Sequence, residues 1–217
     1  KFNHALHLNG DTIPTLGGGY TRYDGKHYGR VLRASKALIS PRNWYDLDAG
    51  KTDLNIFLKE QTRLWENWSL YYDLQYRHVN YHIEGFRDNP ALLIKSRYNF
   101  FNPKTGVVYK KNGWKAYLSY SIANKEPNRD DFEAGVAQQP KPERLYDTEG
   151  GIEQIRNKYS WGVTLYHMKY KNQLVLTGKI NDVGAYTRTN IPKSFRMGIE
   201  LQGAIQCNKW FNATANL

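Results

Sequence analysis

The sequence predicts an all-β chain, an antiparallel up-and-down meander that forms part of the wall of a large transmembrane β-barrel. Three observations carry this: period-two alternation along long segments, connections that alternate between tight and long, and an aromatic-rich composition that is polar on average. The alternation is clearest from Ser194 to Gln206. There Phe195, Met197, Ile199, Leu201, Gly203 and Ile205 stand opposite Ser194, Arg196, Gly198, Glu200, Gln202, Ala204 and Gln206, the pattern of a strand with one apolar and one wet face. The apolar set is expected to point away from the lumen, and Arg196, Glu200 and Gln202 into it. Trp210–Leu217 continues the pattern with Phe211, Ala213, Ala215 and Leu217. Another strand sets Trp114, Ala116, Leu118, Tyr120 and Ile122 against Lys115, Tyr117, Ser119 and Ser121. A third sets Trp68, Leu70, Tyr72, Leu74 and Tyr76 against Ser69, Asp73, Gln75 and Arg77, and its parity shifts near Val79.

Short turns are read at Glu66–Asn67, Asn112–Gly113, Asn157–Lys158 and Asn208–Lys209. Asn112–Gly113 carries the type I′ hairpin signal, since both residues accept positive φ. Long polar segments are read near Ser40–Thr52, Glu84–Arg97, Asn124–Tyr146 and Lys171–Ala185. Tight turns at one end and long loops at the other are the pattern of a bacterial outer-membrane barrel. The rival is a soluble β-sandwich carbohydrate-binding module with loop tyrosines and tryptophans as stacking platforms, which predicts short strands and loops of similar size at both ends.

Composition agrees with strands. Aromatics reach 14% with 17 Tyr and 6 Trp beside a mean hydropathy of −0.73, whereas a helical bundle would be rich in Leu and Ala. No run approaches the roughly 18 apolar residues of a membrane-spanning helix, but a transmembrane strand needs only ~9–11 alternating residues. The net charge of +11 fits nucleic acid, anionic lipid head groups or a basic lumen. Because Lys and Arg are scattered singly between aromatics, nucleic acid is not expected as a partner. Cys207 stands alone, so no internal disulfide and no thiolate metal site are expected. The chain reads as one partial domain over residues 1–217, with no plug and no complete C-terminal end.

From Phe100 onward the sequence resembles TonB-dependent outer-membrane transporters, particularly the siderophore or iron-complex receptor branch of Bacteroides-like bacteria. The resemblance rests on Phe101-Asn102-Pro103-Lys104-Thr105-Gly106, Ala116-Tyr117-Leu118-Ser119-Tyr120-Ser121, Asn124-Lys125-Glu126-Pro127-Asn128-Arg129 and Lys141-Pro142-Glu143-Arg144-Leu145-Tyr146-Asp147 with Glu149 and Gly151. It continues through Leu165-Tyr166-His167-Met168-Lys169-Tyr170-Lys171-Asn172-Gln173-Leu174 and Asn190 with Gly198-Ile199-Glu200, and upstream in Asp73-Leu74-Gln75-Tyr76-Arg77. It implies a plug inside a barrel of about 22 strands, import of a ferric siderophore or similar metal chelate, a location in the bacterial outer membrane with its lipid around the wall, and energy coupling by the TonB complex through a plug segment absent from this chain. Haem receptors of the family keep a histidine between two motifs, and the corresponding stretch from Asn128 to Lys141 has none. Phe86-Arg87-Asp88-Asn89-Pro90 is similar to those motifs but misplaced.

No Ser-His-Asp arrangement, paired-carboxylate motif or nucleophile elbow is read, so neither catalysis nor a cofactor is expected. His78 and His82 share a strand face about 13 Å apart at about 3.3 Å per residue, too far for one metal. Glu126, Asp130, Asp131 and Glu133 could hold calcium but lack its loop spacing and read as a solvated acidic turn. Gly17-Gly18-Gly19 reads as a loop or bulge. Candidate ligand contacts are the loop aromatics Trp44, Tyr45 and Phe132 and the cations Arg77, Arg129 and Arg144, the alternative for the aromatics being packing among loops. Arg77, Lys115 and Arg196 should face the lumen, either as a positive field for an anionic chelate or paired with carboxylates such as Asp73 and Glu200.

Overall fold

The structure, a computed structural model, describes residues 2–5, 14–32, 42–133, 139–180 and 186–217. Within these it forms β1 (Phe2–Ala5), β2 (Thr15–Val31), β3 (Arg42–Trp65), β4 (Trp68–Glu84), β5 (Leu93–Lys111), β6 (Trp114–Lys125), β7 (Glu143–Ile155), β8 (Tyr159–Ile180), β9 (Tyr186–Gln206) and β10 (Asn212–Asn216), with one short helix, α1 (Arg129–Glu133), between β6 and β7. Each strand pairs antiparallel with its sequence neighbours, in the order β1 to β10. This is the predicted up-and-down meander. At 24 residues for β3 and 22 for β8, the strands far exceed the usual five or six, which disfavours a sandwich module.

Several segments read as loops are strand. β3 starts at Arg42, β5 at Leu93, and β8 runs to Ile180, so the described parts of Ser40–Thr52 and Lys171–Ala185 are ladder, whereas Glu84–Arg97 keeps a true loop between Glu84 and Leu93 with only its ends in strand. Residues 181–185 lie outside the described residues. Polar residues interspersed along such strand conceal it from a periodicity reading, while the backbone ladder continues regardless of side chain. Gly17-Gly18-Gly19 likewise sits inside β2, in unbroken register with Phe57, Ile56 and Asn55, and is neither loop nor bulge.

Asn112 and Gly113 have φ of 50° and 80°, as the type I′ turn demands, and join Lys111 directly to Trp114. A Cβ on Gly113 would lie 2.4 Å from the carbonyl oxygen of Ile155, which cannot move because it belongs to the backbone. Gly113→Ala is therefore expected to destabilise this end of the sheet by about 1–2 kcal/mol, seen as a lower unfolding temperature of the heat-modifiable folded band. An unchanged transition would show that the turn relaxes freely.

The two faces follow from the register. Phe195, Met197 and Ile199 on β9 are 67%, 67% and 64% exposed and lie beside Lys169, His167 and Leu165 of β8. Arg196 and Glu200 stand on the opposite parity of the same unbroken strand. With Leu118, Tyr120, Ile152 and Leu165 also exposed, this is an outward apolar band. At the tight-turn end it carries aromatic pairs, Trp68 with Tyr109 at 5.0 Å and Trp114 with Trp161 at 5.6 Å between ring centroids, the girdle of a membrane interface.

The parity shift at Val79 is not a bulge, since β4 keeps register with both neighbours through it. What changes is the surroundings. Outward, Leu74 and Tyr76 give way to His78, Asn80, His82 and Glu84; inward, Asp73, Gln75 and Arg77 give way to Val79, Tyr81 and Ile83. His78 contacts Asn99 and Asn80, and His82 contacts Glu84. Here the strand leaves the apolar band: its outer face turns wet and its inner face covers a packed loop.

Candidate functional site

The segment that leaves β6 folds back onto the luminal face. Asn128 caps α1 reciprocally with Asp131: the Asp131 amide donates to Asn128 Oδ1 at 3.0 Å and the Asn128 amide to Asp131 Oδ2 at 2.7 Å, which satisfies amides that the first turn leaves open. That turn places Phe132 inward. Its ring is 1% exposed among Ile83, Phe86 and Ile94 and meets Tyr81 edge-on at 5.9 Å. Arg129 lies 4.6 Å over the Phe86 ring and donates to the carbonyl of Gly85 at 3.3 Å. Gly85, at φ 90°, has no room for a Cβ, which would meet the carbonyl oxygen of Pro90 at 2.5 Å.

Charge completes the docking. Glu126, 8% exposed, accepts hydrogen bonds from Arg77 at 2.7 and 2.8 Å and from Lys51 at 2.9 Å. Arg77 also holds Asp53 at 2.5 Å, while Asp131 pairs with Arg188 of β9. The loop is thus tied to β3, β4 and β9 at once. Burial pushes the Glu126 carboxyl up, but the hydrogen bonds from Arg77 and Lys51 outweigh it and hold the group below its ordinary value of 4.5. Such a group contributes stability that is present above 4.5 and lost as pH falls through the lowered value. Protease cleavage between β6 and β7 in the purified protein is accordingly expected to stay constant from pH 8 to 5 and to rise below 4.5; a rise already near pH 6.5 would point to a histidine instead.

The structure brings Arg77, Arg129 and Phe132 together and leaves the other candidates apart. Phe132 is packing among loops, unavailable to a ligand. Trp44 and Tyr45 are not loop residues but lie in β3, touching edge-on at 5.8 Å, Trp44 outward and 70% exposed, Tyr45 on the inner parity over Gly29. Arg144 stands on the outward parity of β7, donating to Asn124 at 2.8 Å. The acidic segment is not a solvated turn, because Glu126 and Asp131 are its buried anchors. Asn128 three residues before Asp131 was the available signal for that helical turn.

Luminal cations are mostly neutralised. Lys115 pairs with Glu153 at 3.0 Å and Lys59 with Asp73 at 3.2 Å, and Arg196 lies 5.4 Å over the Tyr170 ring. One ladder row reads Lys59, Asp73, Lys104, Ser121, Asp147, Met168, Arg196 across six strand pairs, alternating in sign where it carries charge. The pairing alternative therefore holds for Arg77 and Lys115, with Asp53, Glu126 and Glu153 as partners. Below the loop the wall forms an open concavity of about 660 Å³ lined by Lys59, Gln61, Tyr71, Asp73 and Lys104 among others.

This two-faced sheet with an inward loop has counterparts. The family model described as "TonB dependent receptor-like, beta-barrel" matches residues 1–217. The chain belongs to that family. Among solved structures it is similar to the copper transporter OprC, with a TM-score of 0.82, 12% identity, and coverage of 99% of this chain and 35% of that one. The FrpB iron transporter from Neisseria meningitidis gives 0.66, 16%, 95% and 32%, and the ferric citrate transporter FecA in the unliganded form 0.65, 16%, 94% and 30%. At these identities the likeness is one of fold, and the chain spans about a third of each neighbour's length. No curated protein matches the chain. TonB-dependent receptors are transporters of the Gram-negative outer membrane, and the outward band and polar lumen described above are what such a location requires.

Proposed function

We propose that the chain is the wall and part of the extracellular loop set of a TonB-dependent importer for a scarce metal chelate, with a ferric siderophore the leading cargo. The observation that carries this is the loop docked inside the wall at the long-loop end, where an incoming solute first meets the lumen. The neighbours' stated cargoes, copper, iron and ferric citrate, support metal uptake as the class, and the ordered motifs from Phe101 to Glu200 support the Bacteroides-like branch. The chain then supplies one part of a longer receptor, whose plug fills the lumen and contacts the TonB complex. Asp73 Oδ1 and Asp147 Oδ1 are buried without a hydrogen-bond partner among the described residues. Leaving such acceptors unmet costs about 1–3 kcal/mol each, and a plug packed against this wall would supply donors.

Of the candidate contacts, Tyr45 and Arg129 border the luminal entrance, whereas Arg77 and Phe132 shape it from behind. Cells making the whole receptor are expected to accumulate iron from a radiolabelled ferric siderophore, and to stop when TonB is deleted. Arg129→Ala should weaken capture several-fold through loss of a rim contact and of its seat on Phe86, while Arg144→Ala, on the other face, should leave capture unchanged. Equal accumulation with and without the receptor, for iron and copper chelates alike, would overturn this reading.

A further inference from the structure

The outward face of β7, β8 and β9 carries a group of cations that the transport reading does not use. Arg144, Lys171 and Lys193 are direct ladder partners on three adjacent strands, and Lys169 stands two residues below Lys171 on the same face. At about 4.8 Å between strands, the three-residue row spans roughly 10 Å. Like charges directly opposite one another destabilise a sheet, and Lys171 faces Lys193. Nothing on that surface offsets the repulsion: among the described residues, the outward parity of β6 to β9 holds no Asp or Glu, and Glu143 beside Arg144 faces inward to Lys125 at 3.6 Å. Asn124 fixes the Arg144 guanidinium.

The cations sit above rings. A groove of about 670 Å³ runs between them, lined by Tyr146, His167 and Phe195 as well as by Lys169, Lys171 and Lys193. His167 and Phe195 lie 6.3 Å apart, and Met197, Leu165 and Ile199 continue the apolar surface toward the tight turns. An occupant must therefore be amphiphilic, with an anionic head against the cations and hydrocarbon along the rings below. A free anion would use the head site and leave the groove empty, and an acidic protein would meet the hydrocarbon zone of the band.

We propose that Arg144, Lys169, Lys171 and Lys193, with the ring-lined groove beneath them, form a docking site for a phosphorylated glycolipid of the outer leaflet, its phosphate between the lysines and an acyl chain along Tyr146, His167 and Phe195. The site rests on the outward assignment of this face and is independent of which chelate is imported.

The test titrates bisphosphorylated lipid A, in mixed micelles, onto the purified whole receptor and counts bound lipid by native mass spectrometry. The paired variant Lys171→Gln with Lys193→Gln is expected to bind roughly tenfold to thirtyfold more weakly, and Lys171→Arg with Lys193→Arg to bind like the wild type. Lipid A stripped of both phosphates should bind weakly to all three proteins, and millimolar inorganic phosphate should not displace the intact lipid. Equal lipid binding by the wild type and the Gln pair would overturn the proposal, and so would displacement by inorganic phosphate, which would mark a free-anion site. Heat-modifiable migration of each variant shows beforehand that the barrel is assembled, so weaker binding cannot come from unfolded protein, and collision rates of spin labels along β9 report the outward assignment separately.

Discussion

Phe132→Ala is expected to release the loop between β6 and β7 from the wall while the barrel stays assembled. The ring is 1% exposed, packed among Ile83, Phe86 and Ile94, and truncating a buried Phe costs about 3–5 kcal/mol. A short helix held by one ring and a few ion pairs cannot absorb that much, so the loss should appear locally, as undocking. Glu126→Ala should act in the same direction by leaving Arg77 and Lys51 with half their partners, at about 1–3 kcal/mol for a part-buried network. Because either change undocks the same loop, the double variant should be little worse than Phe132→Ala alone. The measurements are protease cleavage between β6 and β7 on intact cells and, as a test of the proposed function, capture of a labelled ferric siderophore by the whole receptor. Cleavage should rise and capture fall, and a loop cleaved no faster than in the wild type would mean that it is held by contacts other than those seen here.

The second large effect concerns the lipid face. Ile199 lies midway along the apolar run of β9, between Met197 and Leu201, and is 64% exposed. In a barrel wall that exposure is to hydrocarbon, and Ile199→Arg is expected to cost about 2–4 kcal/mol near the midplane. Assembly in the outer membrane should fall severely. Glu200→Arg, one residue on and across the sheet, should leave assembly near normal, because luminal substitutions meet water and polar neighbours. Comparable assembly of the two variants would show that β9 is not apolar-side-out.

Much of this fold was legible because a transmembrane strand writes its two solvents into alternate residues. Phe195 to Ile205 and Trp114 to Ile122 gave face and period directly, and Asn112–Gly113 gave the turn. The legibility ended where the strands rise out of the membrane, since the outer face there mixes polar and apolar residues, Asp46 and Asp48 beside Trp44 and Lys95 and Arg97 beside Leu93, so these segments resemble loops although their ladders continue. The Val79 shift was visible in the residues; its cause was not, because it needs Phe132 to arrive from more than fifty residues away in sequence. The site was less legible than the wall. Parity placed Arg77 in the lumen but could not show that Asp53 and Glu126 neutralise it, and Arg144 was grouped with Arg129 by sequence proximity although the two occupy opposite faces. The outward row of Arg144, Lys171 and Lys193 joins three separate strands, and only the register of β7, β8 and β9 brings it together.

The most direct test of a wall with one lipid-facing and one luminal side is a spin-label scan of β9 from Phe195 to Leu201 in the whole receptor, reconstituted in lipid with Cys207 replaced by Ser so that each site carries a single label. Collision rates with oxygen, which partitions into hydrocarbon, and with a water-soluble nickel chelate are compared position by position. The expected result is a period of two, with oxygen dominating at Phe195, Met197, Ile199 and Leu201 and the nickel chelate at Arg196, Gly198 and Glu200. A flat profile, or oxygen dominating at Arg196 and Glu200, would contradict the assignment of faces on which both the docked loop and the outward cation row depend.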